Sequence, residues 1–196
     1  MNSEKSIQDH LSASASVKQQ MIDSCTGQIK EIADRIIQCF RSGGKLLICG
    51  NGGSAADAQH IAAEFVVRLS HDLMRPALPV ISLATDSSIM TAGGNDIGFE
   101  NVFSRQVEAL GKPDDILIVI STSGSSENIV RAAKAAQAKK VDVIGFLGSS
   151  SGRVKTSCSL ILNIPSAVTA HIQEGHITAG HIICNLVEQT LFADKP

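Results

Sequence analysis

The stretch LLICGNGGSAADAQHIAAEF, residues 46–65, passes from an unbroken apolar run into a loop of three glycines and a serine, then into a helical pattern. An uncharged apolar run of this length reads as a strand buried on both faces, the kind found in parallel sheets. Glycines after it let a backbone approach a ligand closely, and the free amides of a helix N-terminus favour an anion. Ser54 is the expected N-cap, with Asp57 completing a capping box of the S-x-x-D kind. A helix beginning at Ala55 puts His60 and Glu64, four residues apart, on one face. His60 then lies about 8 Å along the axis from the loop, roughly the length of a small sugar. Such a pair can chelate one metal ion; it is also the pattern of an ordinary exposed ion pair.

Working outward, four more apolar runs follow: PVISLA (79–84), DILIVIS (115–121), VDVIGFL (141–147) and LILNIP (160–165). Helical patterns separate them at about 86–93, 99–110 and 126–139, with a short one near 153–157. The alternation predicts an α/β fold: a three-layer sandwich around a five-stranded parallel sheet, flavodoxin-like in plan. Two helices, about 3–23 and 25–42, precede the first strand and end at Gly43-Gly44. They form an N-terminal arm, residues 1–42, expected to pack on the main domain (43–196) and to take part in oligomerisation. A final helix spans about 170–192. It is apolar around most of its circumference, so it should be buried on all sides, most simply against a second subunit.

Composition excludes several classes. A net charge of -2 gives no electrostatic case for nucleic acid or an anionic membrane. With no Trp or Tyr and six Phe, a base-stacking surface is not expected. Five scattered cysteines without a C-x-x-C pair point to a reducing compartment and away from a thiolate zinc site. No signal-peptide core or membrane-length apolar run appears, so the expected location is the cytoplasm.

Two further loops repeat the chemistry of the first: STSGSS (121–126) and GSSSGR (148–153), each at the end of a strand. In an open parallel sheet, ligands bind beyond the carboxyl ends of strands, near the switch in strand order. No lysine follows as in a Walker A loop, and the next strand offers no acidic residue for a ribose, so nucleotides are not indicated. A phosphomonoester suits hydroxyl-lined loops of this kind. The last helix adds HIQEGHITAGH, with His171, Gln173, Glu174, His176 and His181. Polar groups entering an apolar helix need partners if buried, between subunits or in a metal or acid–base site begun by His60 and Glu64. Spacing pairs Glu174 with His181, seven residues apart. Gln173 and His181 lie about 12 Å apart along the axis and off one stripe.

The segments CGNGGSAADAQHIAAEF, GNDIGFENVFSRQVEALG, ISTSGSSENI and IQEGHITAGHIICNLVE closely resemble the phosphoheptose isomerase family of sugar-isomerase (SIS) proteins, over about residue 30 to the C-terminus. The resemblance implies interconversion of sedoheptulose 7-phosphate and D-glycero-D-manno-heptose 7-phosphate, the first step toward bacterial surface heptose. It also implies a homotetramer with active sites at subunit interfaces and one zinc ion per subunit. Carried over by position, the substrate-binding residues are Asn51, Gly52, Gly53, Ser54, Glu64, Arg68, Asn95, Asp96, Ser121, Thr122, Ser123, Ser126 and Gln173. The implied metal ligands are His60, Glu64, Gln173 and His181, with Glu64 and His181 as the acid–base pair. For Gln173 to join the other ligands, either the last helix starts after it or the ligands come from different subunits. Ile97 stands where the family usually has an aromatic residue, Gly93 where it has isoleucine, and SHDLM (70–74) where a more basic segment is common. A related binding protein that associates with the replication initiator DnaA has the same fold but lacks the counterparts of Glu64 and His181. A metal-free sugar-phosphate sensor or isomerase from another branch of the fold is a third possibility.

Overall fold

Strands without a polar face must be covered on both sides, and the five apolar runs achieve this by pairing in parallel. In the computed structural model, which describes residues 2–193, the strands are β1 (Leu46–Gly50), β2 (Val80–Ser82), β3 (Ile116–Ser121), β4 (Asp142–Gly148) and β5 (Leu160–Ile164). They form one sheet in the order β2-β1-β3-β4-β5. The central strands β1 and β3 are buried along their whole length, whereas the edge strands β2 and β5 are partly exposed. Alternate residues feed two cores, as the two-residue period of a strand requires. Leu46, Ile48, Ile118, Ile144 and Phe146 face one side; Leu47, Val119, Val143 and Leu147 face the other.

Helices α1 (Ser3–Arg41), α2 (Gly53–Val66) and α6 (Thr169–Phe192) cover the first side. On the second lie α3 (Ser87–Asp96), α4 (Val102–Leu110) and α5 (Glu127–Ala138). The expected three-layer sandwich is present. Strand order reverses at β1, which has β2 on one side and β3 on the other. The loops after β1 and β3 therefore flank the switch point.

The sequence predicts two N-terminal helices; the structure has one, 39 residues long. The hydroxyls near the expected break bond back into the helix instead of capping a new one. Ser24 Oγ donates to the Gln20 carbonyl and Thr26 Oγ1 to that of Ile22. The buried stripe also continues in phase through Val17, Met21, Cys25, Ile29, Ile32 and Ile36. Residues 3–13 of α1 are exposed, and His10 and Ser14 tether this part to Glu174 on α6. Helix α3 runs three residues past the expected stop, through the Gly93-Gly94 pair to Asp96.

Helices α2 and α6 run side by side in the same direction. Gly180 makes their close approach possible: a Cβ there would lie 2.8 Å from Ile61 Cδ1. Among the described residues, no helix is long and apolar enough to cross a membrane.

On the sheet side of α6, His176 is fully buried, and its Nε2 lies 3.2 Å from the Leu147 carbonyl, which accepts its proton. Burial holds this imidazole neutral and lowers its pKa to about 4. An unfolded chain takes up a proton on this residue below about pH 6.5, while the folded chain resists until about pH 4. Stability is therefore complete above pH 6.5 and falls with pH through that window, by at most about 1.4 kcal/mol per unit. Replacing His176 with Gln should flatten the dependence of unfolding free energy on pH between 6.5 and 4, measured by urea denaturation. An unchanged slope would contradict this assignment.

Candidate active site

The loop after β1 is shaped by glycine and amide chemistry. Gly52 adopts φ 54°, in the region that favours glycine. Helix α2 then begins at Gly53, and Gly52 is its N-cap with no side-chain bond. The predicted Ser54–Asp57 capping box is therefore absent, because the helix starts two residues earlier than expected and Ser54 already lies inside it. Asp57 is left with a buried, unpartnered Oδ2, and burial raises its carboxyl pKa. The Asn51 amide turns inward and exchanges two hydrogen bonds of 2.9 Å with Asn128, which is buried on α5.

The loop after β3 folds on its own hydroxyls. Ser121 Oγ accepts from the Gly124 amide at 3.1 Å, and Ser123 Oγ accepts from the Ser125 amide at 3.3 Å. Ser126 is the N-cap of α5 but makes no side-chain cap bond. Asn51 to Ser54, Ser121 to Ser123 and Ser126 line one cavity of about 300 Å³, bordered by Thr169 and Gln173 of α6. Its lining holds hydroxyls, amides and the N-termini of two helices but no lysine or arginine, a neutral-donor site for an anion. An adjoining space of about 230 Å³ adds Ser149, Ser150 and Ser166 from the third serine-rich loop and its neighbours. A separate cavity at the opposite, amino-terminal ends of β3 and β4 is lined by charges such as Arg35 and Asp142, which pair with each other at 2.7 Å.

A second polar group forms in the seam between α2 and α6. His60 Nε2 lies 2.8 Å from His181 Nε2, and 3.5 Å from Glu64 Oε1. One imidazole must donate to the other, with the carboxylate beside them. Two nitrogens and one carboxylate oxygen are a donor set that zinc accepts. The two imidazoles are hydrogen-bonded to each other, and among the described residues no three His, Cys, Asp or Glu side chains surround a common point suited to a metal. Gln173 sits elsewhere: a Cβ on Gly53 would lie 2.4 Å from its Nε2, so it belongs with the anion loop. Because α6 starts at Thr169, Gln173 is helical, and the alternative of a helix starting beyond it is overturned.

The other polar residues of α6 diverge. Glu174, expected from spacing to pair with His181, turns instead to α1, where Ser14 and then His10 lower its pKa. His171 stacks against His10 with ring centroids 4.7 Å apart. Among the remaining carried-over residues, Arg68 lies on the loop after α2, where Nη1 contacts Met74 Sδ at 3.0 Å. Asn95 and Asp96 bond to each other at the exposed end of α3. None of these three lines the loop cavity. Sequence reasoning missed Asn128, since nothing in SSENI distinguishes a buried amide from an exposed one. It also missed Arg75 and Glu188, an ion pair joining residues 113 apart.

Distance along α2 constrains how these groups can cooperate. His60 follows Gly53 by about 10 Å and Glu64 by about 16 Å. A seven-carbon chain has six bonds of about 1.5 Å and spans at most roughly 9 Å. The Glu64 carboxylate, however, reaches back to 3.5 Å from the His60 ring, so a sugar end that meets one of them meets both.

A doubly wound parallel sheet with hydroxyl-rich loops at its switch point defines an SIS-type sugar-phosphate fold, and the SIS domain family pattern matches residues 9–148. The chain is 52% identical over 186 residues to a phosphoheptose isomerase from Roseiflexus sp. (strain RS-1), covering 95% of this chain and 93% of that one. Solved phosphoheptose isomerase structures also superimpose closely. That from Francisella tularensis gives a TM-score of 0.92 at 36% identity, covering 96% of this chain and all of the other. That from Neisseria gonorrhoeae gives 0.89 at 39%, covering 95% and 98%. The chain belongs to the phosphoheptose isomerase family and is an enzyme of the isomerase class.

The Asn51–Asn128 exchange gives the first loop its shape, and removing one amide leaves the other unsatisfied. Asn128→Ala should cost about 1–3 kcal/mol of unfolding free energy, read from urea melts. An unchanged midpoint would show that the pair does not hold the loop.

Proposed function

We propose that this protein isomerises sedoheptulose 7-phosphate to D-glycero-D-manno-heptose 7-phosphate in the cytoplasm, the first step toward bacterial surface heptose. The active site is shared between subunits of a homotetramer. The observation that carries the reading is the convergence of Glu64, His60 and His181 in one seam, in a chain about half identical to proteins named phosphoheptose isomerase. Sharing between subunits is part of this reading because Gln173 lies beside its own chain's loop, about 12 Å along α6 from His181. It is supported by the exposed apolar residues Val67 and Met74 in the segment after α2 and Ile182 and Leu186 on α6.

The serine and threonine hydroxyls of the loops, with the amides opening α2 and α5, hold the phosphate. The sugar's C1–C2 end then meets the seam. Glu64 takes a proton from C1 of the ketose while His181 gives one to the C2 oxygen, leaving a C1=C2 enediol. Returning the first proton from Glu64 to C2, as the C1 hydroxyl gives its proton to the imidazole, completes the aldose. His60, Glu64 and His181, with Gln173 of the partner subunit, are the residues that would hold zinc. When bound, zinc supplies positive charge that stabilises an oxyanion. A half-buried carboxylate suits this chemistry; Glu64 is 18% exposed against 47% for His60.

Glu64→Gln keeps the shape of the side chain and removes its basicity. It should lower kcat by about 10²–10⁴-fold without changing the far-UV spectrum, with aldose formation from sedoheptulose 7-phosphate as the assay. Turnover at the wild-type rate would end the proposed role. Zinc added to metal-free protein should raise Tm in the wild type and not in His60→Gln; equal shifts in both would remove His60 from the ligand set.

A further inference from the structure

Below the seam, an ion pair is sealed from solvent. Arg75 and Glu188 both have side chains that are 0% exposed. Arg75 Nη2 and Nε donate to Glu188 Oε1 at 2.6 and 2.8 Å. The same Nη2 donates to the Glu64 backbone carbonyl at 2.8 Å, and Nη1 to the Pro76 carbonyl at 2.9 Å. Glu188 also accepts from the Leu69 amide at 2.9 Å and the Ser70 amide at 3.3 Å.

These bonds have a direction. Glu64 stands two residues before the end of α2, where helix carbonyls lose their intrahelical partners. Arg75 satisfies one of them, that of the residue whose side chain faces His60. Glu188 lies seven residues after His181, on nearly the same stripe of α6. Its carboxylate fixes the two consecutive amides that directly follow Arg68. One pair thus ties together the backbone of Glu64, the loop carrying Arg68 and the helix carrying His181.

A fully buried ion pair is weak evidence for stability, because desolvation offsets much of its attraction and an apolar pair of similar volume often serves as well. The convergence of its hydrogen bonds on the elements bearing the seam is what an orienting role would require. We propose that Arg75 and Glu188 are positioning residues of the active site: they hold α2 and α6 in the relative placement that sets Glu64 against His60 and His181. This rests on the isomerase reading for its kinetic test but not for its geometric one.

The experiment replaces the pair with apolar residues of similar size, Arg75→Met with Glu188→Leu, and uses Glu188→Gln as a second variant in case the first does not fold. Each is compared with wild type by thermal melting, by kcat and KM for sedoheptulose 7-phosphate, and by the NMR signals of the His60 and His181 rings. The expected result is a folded double variant with kcat lower by about ten- to a hundredfold and KM changed by less than about threefold, with both ring signals displaced. Wild-type kcat in a folded double variant, or unmoved ring signals, would overturn the proposal and leave the pair a merely structural one. If wild-type protein itself fails to turn over the sugar phosphate, the isomerase reading falls. The ring signals then decide the positioning role alone: displaced signals uphold it and unmoved signals refute it.

Discussion

The parallel packing of α2 on α6 is the constraint from which the rest follows. Gly53 meets Gln173, Ile61 meets Gly180, His60 meets His181, and the Leu69 amide just beyond α2 meets Glu188. The register is constant from the anion loop to the end of the helix, so each residue of α2 has a fixed neighbour on α6. Small residues permit it, since Gly53 leaves room for the Gln173 amide and Gly180 for Ile61. Because side chains pack to crystal-like density, two helices in such register do not slide by fractions of a turn. The register brings His60, Glu64 and His181 together, and it leaves Gln173 beside the serine loops, about 12 Å along α6 from His181.

The two ends of this helix pair use different chemistry for a physical reason. At the top, the cavity lining offers an anion neutral donors: hydroxyls, amides and helix N-termini. These hold charge without the screening and pKa complications of a lysine. At the seam, groups able to exchange protons stand in partial contact with solvent. Between them, Asn128 orders the first loop and Arg75 with Glu188 orders the far end. Buried polar networks of this kind favour a single arrangement over many, because a half-satisfied alternative is costly.

Much of this was legible in the residues. Unbroken apolar runs alternating with helical patterns specified the parallel sheet, and their burial on both faces is what β1 and β3 show. The loops GNGGS and STSGSS were placed correctly at strand ends because glycine and serine mark both turns and anion sites. Local hydrogen-bond competition misled at two points. The break expected between residues 23 and 25 is absent, and Ser24 and Thr26 bond to carbonyls one turn back within a continuous α1. Ser54 looked like an N-cap but sits within α2. Spacing on a single helix joined Glu174 to His181, yet the neighbour that decides Glu174 is α1, distant in sequence. Arg75 and Glu188 could not be linked from sequence for the same reason: an ion pair between remote segments has no periodicity to reveal it.

The central claim, that the serine loops of one subunit and the Glu64 seam of another form one active site, is tested most directly by mixing two inactive subunits. Ser123→Asp places a negative charge at the exposed tip of the phosphate loop, and Glu64→Gln removes the base. Co-refolded at varying ratios, the two should regain turnover of sedoheptulose 7-phosphate, most at equal proportions, because some sites then combine an intact loop with an intact seam. Mixed oligomers that form, as shown by native mass spectrometry, yet stay inactive at every ratio would contradict it.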